Sequence, residues 1–146
     1  MCVGAVVLRG DFVLLVRQAK GSPLEGQWSI PWGVVEEDET PEEAARRETY
    51  EEAGVTVEVE GLLGVQNVRW ECAVALVFLC RHVSGEPKDD GGVETDGASY
   101  FTLADLDGLA NVEPWCEWVV RRVLRGEYRL VPEEMSQPYA PLRAFF

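Results

Sequence analysis

The segment from Thr40 to Gly54 carries both the start signal and the stop signal of one α-helix. Thr40 can cap the amino end, and Pro41 suits the first helical position because its missing N–H costs nothing there. Glu43 follows Thr40 by three residues, as in a capping box. Gly54 can adopt the left-handed conformation that ends a helix. Together these signals predict a helix over residues 41–53, and the rest of the fold has to be arranged around it.

Three glutamates share one side of this predicted helix. Glu51 and Glu52 follow Glu48 by three and four residues, which places the three side chains next to one another. Carboxylates so near to one another repel each other unless a positive charge lies between them. On spacing alone the group is typical of a solvated acidic face. In a suitable surrounding it would bind a hard divalent cation such as Mg²⁺ or Mn²⁺.

Apolar runs on both sides of the helix predict β-strands. The predicted strands are residues 3–8, 12–16, 55–60, 63–69, 73–83 and 100–102. Gly10 and Asp11 favour a hairpin turn between the first two. A second helix is predicted at about 114–125, where Pro114 opens it and Gly126 stops it, and the tail 127–146 follows. The small residues of the first helix can pack on a sheet and leave the glutamates pointing outward. These small residues are Ala45, Thr49 and Ala53.

Composition narrows the class of protein. The chain has 146 residues, of which 47% are hydrophobic, and this fits one folded domain over residues 1–146. No apolar run approaches the roughly 18 residues of a membrane helix, and no signal peptide is recognisable, so we expect a cytoplasmic protein without a membrane partner. The net charge of −13 argues against a nucleic-acid partner. An anionic substrate would need local positive charge from arginines or bound cations.

The cysteines do not form a recognisable metal site. Cys2, Cys72, Cys80 and Cys116 include no CxxC pair, and none is close in sequence to the single histidine, His82. This spacing argues against zinc. Cys72 and Cys80 lie in an apolar, strand-like stretch, and we expect both to be ordinary core residues.

Residues 33–55 contain seven residues at a distinctive spacing, which are Gly33, Glu39, Arg47, Glu48, Glu51, Glu52 and Gly54. By these seven positions the segment resembles the 23-residue signature of the Nudix hydrolases. With each residue type at about 7% of an average sequence, a chance match of seven fixed positions is on the order of 10⁻⁸ at a given start. The resemblance extends over roughly residues 2–125 and leaves the tail out. It implies an α/β (α+β) fold, a Nudix-type α/β/α sandwich with a mixed β-sheet.

The resemblance also implies an activity. Nudix enzymes hydrolyse a phosphoanhydride (pyrophosphate) bond in a nucleoside diphosphate linked to another moiety, with Mg²⁺ or Mn²⁺ as cofactor. Substrates implied for this chain are therefore small nucleotides such as a nucleoside triphosphate, ADP-ribose or a dinucleoside polyphosphate. The residues implied in metal binding are Glu48, Glu51 and Glu52, with Glu39 and Gly33 in support.

Two glutamates compete for the role of general base. One is Glu52 on the helix. The other is Glu94, because the resemblance implies a base from the loop before the last strand, and Glu94 lies in the polar loop 84–97, seven residues before Phe101. The alternative interpretation of Glu94 is a solvated acidic residue of that loop. Arg47 lies one turn before Glu51 and can pair with a carboxylate, which would hold that side chain ionised and aimed. The predicted catalytic set is therefore Arg47, Glu51, Glu52 and Glu94.

The substrate contacts are less specific. Three tryptophans could stack on a base or pack in the core, and three cations could contact phosphates or lie solvated on the surface. Trp32 replaces the small residue that usually precedes the glycine of the signature. Asp38 and Thr49 also depart from the usual pattern, and no departure affects a metal ligand. The candidate contacts are Arg17, Lys20, Trp28, Trp32, Arg69 and Trp70.

Two other classes of protein share this fold. A nucleotide-sensing module binds without cleaving and would be expected to have a damaged signature, whereas this one is intact. A prenyl diphosphate isomerase needs a catalytic cysteine, whereas Cys72 and Cys80 are expected to be buried. The tail could cover its own core or a second subunit, so a homodimer stays open. Its apolar side chains include Tyr139, Leu142, Phe145 and Phe146.

Overall fold

Eight strands form one mixed sheet in the computed structural model, which describes residues 1–68, 72–139 and 141–146. Among these residues no helix is long and apolar enough to span a membrane. The strands are β1 (Cys2–Arg9), β2 (Phe12–Gln18), β3 (Trp28–Ser29), β4 (Trp32–Val34), β5 (Thr56–Asn67), β6 (Val74–Ser84), β7 (Thr95–Phe101) and β8 (Val131–Pro132). The helices are α1 (Pro41–Ala53), α2 (Leu103–Gly108) and α3 (Pro114–Leu124).

Strand β1 lies at the centre of the sheet. It runs antiparallel to β2 and β4 and parallel to β6, and the main path of the sheet is β3-β2-β1-β6-β5-β8. Strand β7 pairs antiparallel with β2. The apolar side chains of β1 are buried on both faces, as expected of a central strand.

The helices cover the two faces of this sheet. Helix α1 packs through Ala44, Ala45 and Ala53 on one face, together with Phe78 of β6. Helices α2 and α3 cover the opposite face through an apolar cluster that includes Leu106, Val120 and Val123. The predicted α/β/α sandwich with a mixed sheet is confirmed.

Helix α1 has the predicted bounds and the predicted caps. The Thr40 hydroxyl accepts from the Glu43 N–H at 3.3 Å, and the Glu43 carboxylate accepts from the Thr40 N–H at 2.8 Å. Gly54 ends the helix with φ of 67°, a conformation that residues with a Cβ adopt rarely. Because both ends are set by local chemistry, the position of this helix along the chain is set locally too.

The short strands β3, β4 and β8 were not predicted. Two of the predicted strands also differ from the structure in their bounds. The two strands expected at 55–60 and 63–69 are one continuous strand, β5, which keeps pairing with β6 through register shifts near Gly61 and Gly64. Strand β7 begins at Thr95, five residues earlier than expected, because its polar first half pairs with β2. Pairing through backbone groups does not require an apolar sequence.

The prediction for Cys72 was wrong. Cys72 is half-buried and forms a disulfide with Cys2, with 5.9 Å between the two Cα atoms. Cys80 is a buried core residue as expected, and Cys116 is buried too; both are free thiols in the described part of the chain. The disulfide joins the start of β1 to the segment just before β6.

The tail returns to the sheet. Phe145 packs against Phe78 with 5.7 Å between ring centroids, and an isolated bridge pairs it with Glu133. The tail therefore covers part of its own core. Several large apolar side chains of the tail remain exposed in the single chain, so a homodimer stays a prediction; they include Met135, Tyr139, Leu142 and Phe146.

Candidate metal centre

The candidate centre begins where α1 passes β4. Gly33 lies in β4 against the Glu48 side chain, and a Cβ built on Gly33 would overlap the Glu48 carboxyl group. Strand β4 is held in place by β1, with Gly33 opposite Val3. The glycine therefore makes room for a carboxylate between a helix and a strand.

Glu52 lies deeper than Glu48. Its side chain is 2% exposed, and its Oε1 accepts a hydrogen bond from the Trp32 N–H at 3.1 Å. Its Oε2 is buried and has no hydrogen-bond partner among the described residues. A buried carboxylate oxygen without a partner carries a large desolvation cost. This oxygen is therefore available to a ligand.

The expectation that the small-residue face packs inward is confirmed, since Ala45, Thr49 and Ala53 are fully buried. The expectation that the glutamates point outward was wrong for two of them. Glu48 and Glu52 are 8% and 2% exposed, because they turn toward β4 and not toward solvent. Glu51 alone is half-exposed.

Arg47 joins the carboxylates of this region. Its Nε and Nη2 donate to both oxygens of Glu39, at 3.0 and 2.6 Å. Its Nη1 donates to Glu48 at 2.8 Å and to Glu51 at 3.1 Å, and its Nη2 also donates to the Val34 carbonyl at 3.0 Å. The two-point pairing with Glu39 fixes the guanidinium in orientation. Arg47 thus links Glu39 to Glu48 by hydrogen bonds to both carboxylates.

Glu94 completes a group of three carboxylates. One carboxylate oxygen each from Glu48, Glu52 and Glu94 lies within 4.8 Å of the others. Glu94 is exposed, whereas the other two are buried. The structure therefore brings together two residues of α1 and one residue of the loop before β7, and Glu51 stands beside this group without joining it.

The electrostatics of the group favour an additional positive charge. Burial raises the pKa of Glu48 to about 7, against the lowering effect of the Arg47 hydrogen bond and charge. Burial also raises the pKa of Glu52 well above its usual value, and the neighbouring charges of Glu48 and Glu94 act in the same direction. In Glu39 the Arg47 hydrogen bond lowers the pKa. Three convergent carboxylates with one unpartnered oxygen fit the oxygen ligand set of Mg²⁺ or Mn²⁺.

The structure brings only some of the predicted substrate-contact residues close together. Arg17 donates to Asp96 at 2.7 Å and lies 5.7 Å from the Trp28 ring, and Trp28 packs edge-on against Phe101 at 5.1 Å. Lys20 is exposed. Trp32 is half-buried in a small cluster with the disulfide. The remaining two candidates, Arg69 and Trp70, lie outside the described residues.

Sequence reasoning missed two residues beside the centre. The buried Thr95 hydroxyl donates to the Glu52 carbonyl at 2.7 Å. Asp90 accepts four backbone N–H groups of the loop that carries Glu94. A signal for Asp90 was present, because Asp followed by Gly91 and Gly92 is typical of a side-chain-capped turn. No local signal pointed to Thr95.

Comparisons with known proteins identify similar sequences. A family model described as NUDIX domain matches residues 1–123. A MutT-like protein of Streptomyces ambofaciens is 45% identical over 93 residues, which are 63% of this chain and 53% of that protein. An ADP-ribose pyrophosphatase of Methanocaldococcus jannaschii is 33% identical over 115 residues, which are 75% of this chain and 66% of that protein. The match thus spans between about half and two thirds of these relatives.

The solved structures agree as well. The crystal structure of a MutT NUDIX hydrolase from Burkholderia pseudomallei superposes with a TM-score of 0.72 and 30% sequence identity. The superposition covers 84% of this chain and 95% of that one.

Proposed function

This chain belongs to the Nudix family, and on that premise we propose that it is a divalent-metal-dependent hydrolase of a phosphoanhydride (pyrophosphate) bond. The proposed substrate is a small nucleotide, a nucleoside diphosphate linked to another moiety. The observation that carries the proposal is the buried Glu52 carboxylate, whose Oε2 has no hydrogen-bond partner among the described residues. One oxygen of the same carboxylate lies within 4.8 Å of an oxygen of Glu48 and an oxygen of Glu94. We take residues 1–146 as one domain.

The proposed cation site consists of Glu48, Glu52 and Glu94, with Glu51 at its edge. Bound Mg²⁺ or Mn²⁺ would offset the charge of the substrate phosphates and lower the pKa of a water. Gly33 gives Glu48 the space it needs. Arg47 keeps a positive charge beside Glu48 and so favours its ionised form.

We assign the role of general base to Glu94. Glu52 is buried, and one of its oxygens is already engaged by the Trp32 N–H. Glu94 is exposed, so its carboxylate can take a proton from the attacking water and pass it to solvent. A base has to lie within hydrogen-bond reach of the water it deprotonates, and Glu94 has an oxygen within 4.8 Å of both other carboxylates of the proposed cation site.

For the substrate, ADP-ribose is the first candidate, because one relative is named an ADP-ribose pyrophosphatase. Trp28 and Arg17 pack together, and we propose that they contact the base and a phosphate. Lys20 and Trp32 are further proposed contacts. The net charge of −13 favours a small-molecule partner over nucleic acid.

The test is a substrate panel with the pure protein and Mg²⁺. The panel contains nucleoside triphosphates (oxidised ones included), ADP-ribose, dinucleoside polyphosphates, NADH and sugar nucleotides, and phosphate is measured after a phosphatase step. We expect one strong hit that EDTA abolishes. Glu52→Gln should lower the turnover of that substrate about 100-fold. Glu58 lies exposed in strand β5, and Glu58→Gln should leave the turnover unchanged.

Two results would contradict the proposal. Turnover of Glu52→Gln within about threefold of the wild type would show that the assigned cation site is wrong, since loss of a metal ligand's support alone costs about 10-fold or more. Silence across the panel, with Mn²⁺ binding demonstrated, would instead favour a nucleotide-sensing module.

A further inference from the structure

The loop that carries Glu94 is organised around one side chain, that of the half-buried Asp90. Its Oδ1 accepts three backbone N–H groups, and its Oδ2 accepts that of Glu94 itself. Burial alone would raise the pKa of Asp90, but these bonds outweigh it and the pKa is lowered. The donors are the N–H groups of Gly92, Val93, Glu94 and Thr95, at 3.2, 2.9, 2.8 and 3.1 Å.

The same loop is hydrogen-bonded to the end of β2 and to α1. The Glu94 carbonyl accepts from the Ala19 N–H at the end of β2, at 2.9 Å. The Thr95 hydroxyl donates to the Glu52 carbonyl at 2.7 Å. Earlier in the loop, the Lys88 N–H donates to the Ala53 carbonyl at 2.9 Å. The loop backbone is thereby held to α1 at Lys88 and Thr95 and to the end of β2 at Glu94.

We propose that Asp90 is a positioning residue, which aims the Glu94 carboxylate at the carboxylates of Glu48 and Glu52; this rests on the cation site proposed above. An exposed glutamate on a loop loses backbone and rotamer freedom whenever it adopts one pose. Asp90 removes the backbone part of that cost in advance, because it satisfies the N–H groups of Glu94 and its neighbours. Only the side-chain torsions of Glu94 then remain to be ordered.

A positioning role differs from two simpler roles. Asp90 could stabilise the fold alone, or its negative charge could act on the centre through space, since it also contributes to the raised pKa of Glu52. Either effect would persist when Glu94 has lost its charge. A positioning effect would not, because it acts through the Glu94 carboxylate. A double-mutant cycle between the two residues separates these cases.

The experiment measures Mn²⁺ binding by isothermal titration calorimetry for the wild type, Asp90→Ala, Glu94→Gln and the double variant. Thermal unfolding of the metal-free proteins is recorded alongside. We expect Asp90→Ala to weaken Mn²⁺ binding about 10-fold, the size of effect that loss of a supporting residue has at metal sites. In the Glu94→Gln background the same change should alter the affinity by less than about twofold, because the carboxylate that Asp90 aims is already gone.

Kinetics with the substrate found in the panel add a second readout. Asp90→Ala should lower kcat more than it raises KM, because the substrate-binding groups are untouched. Asp89→Ala is the matched control, since Asp89 accepts only the Gly91 N–H in the same loop, and it should leave affinity and turnover unchanged. Should Asp90→Ala fail to fold, Asp90→Asn replaces it: the amide keeps the Oδ1 acceptor and loses the one that holds the Glu94 N–H.

An equal loss of affinity in both backgrounds would overturn the proposal, as would an unchanged affinity in Asp90→Ala. These outcomes do not depend on turnover. An inactive wild type that nevertheless shows the expected coupling in Mn²⁺ binding would contradict the proposed hydrolysis and leave the positioning role supported.

Discussion

The Glu48 carboxyl group occupies its position only because Gly33 has no side chain. Because a Cβ on Gly33 would overlap the Glu48 carboxyl group, Gly33→Ala should displace Glu48 from the other two carboxylates. A misplacement of about 1 Å can lower turnover about 100-fold, and we expect a loss of that order in kcat/KM together with weaker Mn²⁺ binding. Steady-state kinetics and calorimetry measure the two effects.

Gly64→Ala provides the matched control for that substitution. Gly64 also lies in a strand, β5, and apart from its two chain neighbours no heavy atom of the described residues lies within 4 Å of a Cβ built there. Its alanine variant should retain wild-type turnover and affinity. Equal behaviour of the two variants would show that the contact between Gly33 and Glu48 has no functional weight.

The buried glutamates also predict how the metal-free protein responds to pH. Burial raises the pKa of Glu48 from 4.5 to about 7, so between these values the folded chain binds more protons than the unfolded chain. The free energy of unfolding should therefore fall as pH rises from about 5 to about 7. Glu52, whose pKa is raised in the same direction, adds to this slope. Urea unfolding in EDTA at several pH values measures it.

Glu48→Gln is the control for the pH dependence. Glutamine can still accept the Arg47 hydrogen bond that Glu48 accepts at 2.8 Å, but it does not titrate. The variant should show a flatter stability profile over this pH range and a higher stability at pH 7 than the wild type. A wild-type profile that rises with pH would contradict the assignment.

At the residue scale, the sequence predicted which glutamates belong to the candidate centre better than it predicted how buried they are. The spacing of Glu48 and Glu52 on one helix could be predicted from the chain alone. Their burial could not, because it depends on β4, which precedes the helix and packs against it only in the folded sheet. Glu94 was proposed from a family resemblance. Asp90, which holds the same loop, was missed although an Asp followed by two glycines is a local signal for a side-chain-capped turn.

Among the elements, those with local signals were the ones predicted with correct bounds. Helix α1 begins and ends as expected, since its capping box and its left-handed glycine are encoded within 15 residues. Strand β5 was predicted as two separate strands, and β7 was predicted too short. Their extra residues are held by pairing with β6 and β2, and the partner strand of a segment cannot be read from that segment.

The disulfide is a contact between elements that the sequence did not predict. It links Cys2 in β1 with Cys72, 70 residues later. Disulfides that close long loops stabilise the folded state by about 2–4 kcal/mol, so Cys2→Ser and Cys72→Ser should each lower the free energy of unfolding by about that amount. Thiol counting on the unfolded, unreduced protein should give two groups per chain, those of Cys80 and Cys116. Four thiols would contradict the pairing.

At the scale of the whole molecule, the two faces of the sheet have different roles. Helix α1 on one face supplies the two buried carboxylates of the centre, and α2 and α3 bury the other face. The tail adds a covering segment beside α1, where Arg143 donates to the Val59 carbonyl at 3.0 Å and Phe145 packs on Phe78. The face that carries the centre is therefore closed by two segments that are distant in sequence.

This closure predicts different effects for two adjacent phenylalanines. Phe145 is half-buried against Phe78, whereas Phe146 is 84% exposed. Full burial of a phenylalanine makes its replacement by alanine cost about 3–5 kcal/mol, so for the half-buried Phe145→Ala we expect about 2 kcal/mol. Phe146→Ala should change stability by less than about 0.5 kcal/mol. Urea unfolding with unchanged m-values measures both, and equal stabilities of the two variants would show that the tail does not pack on the sheet in solution.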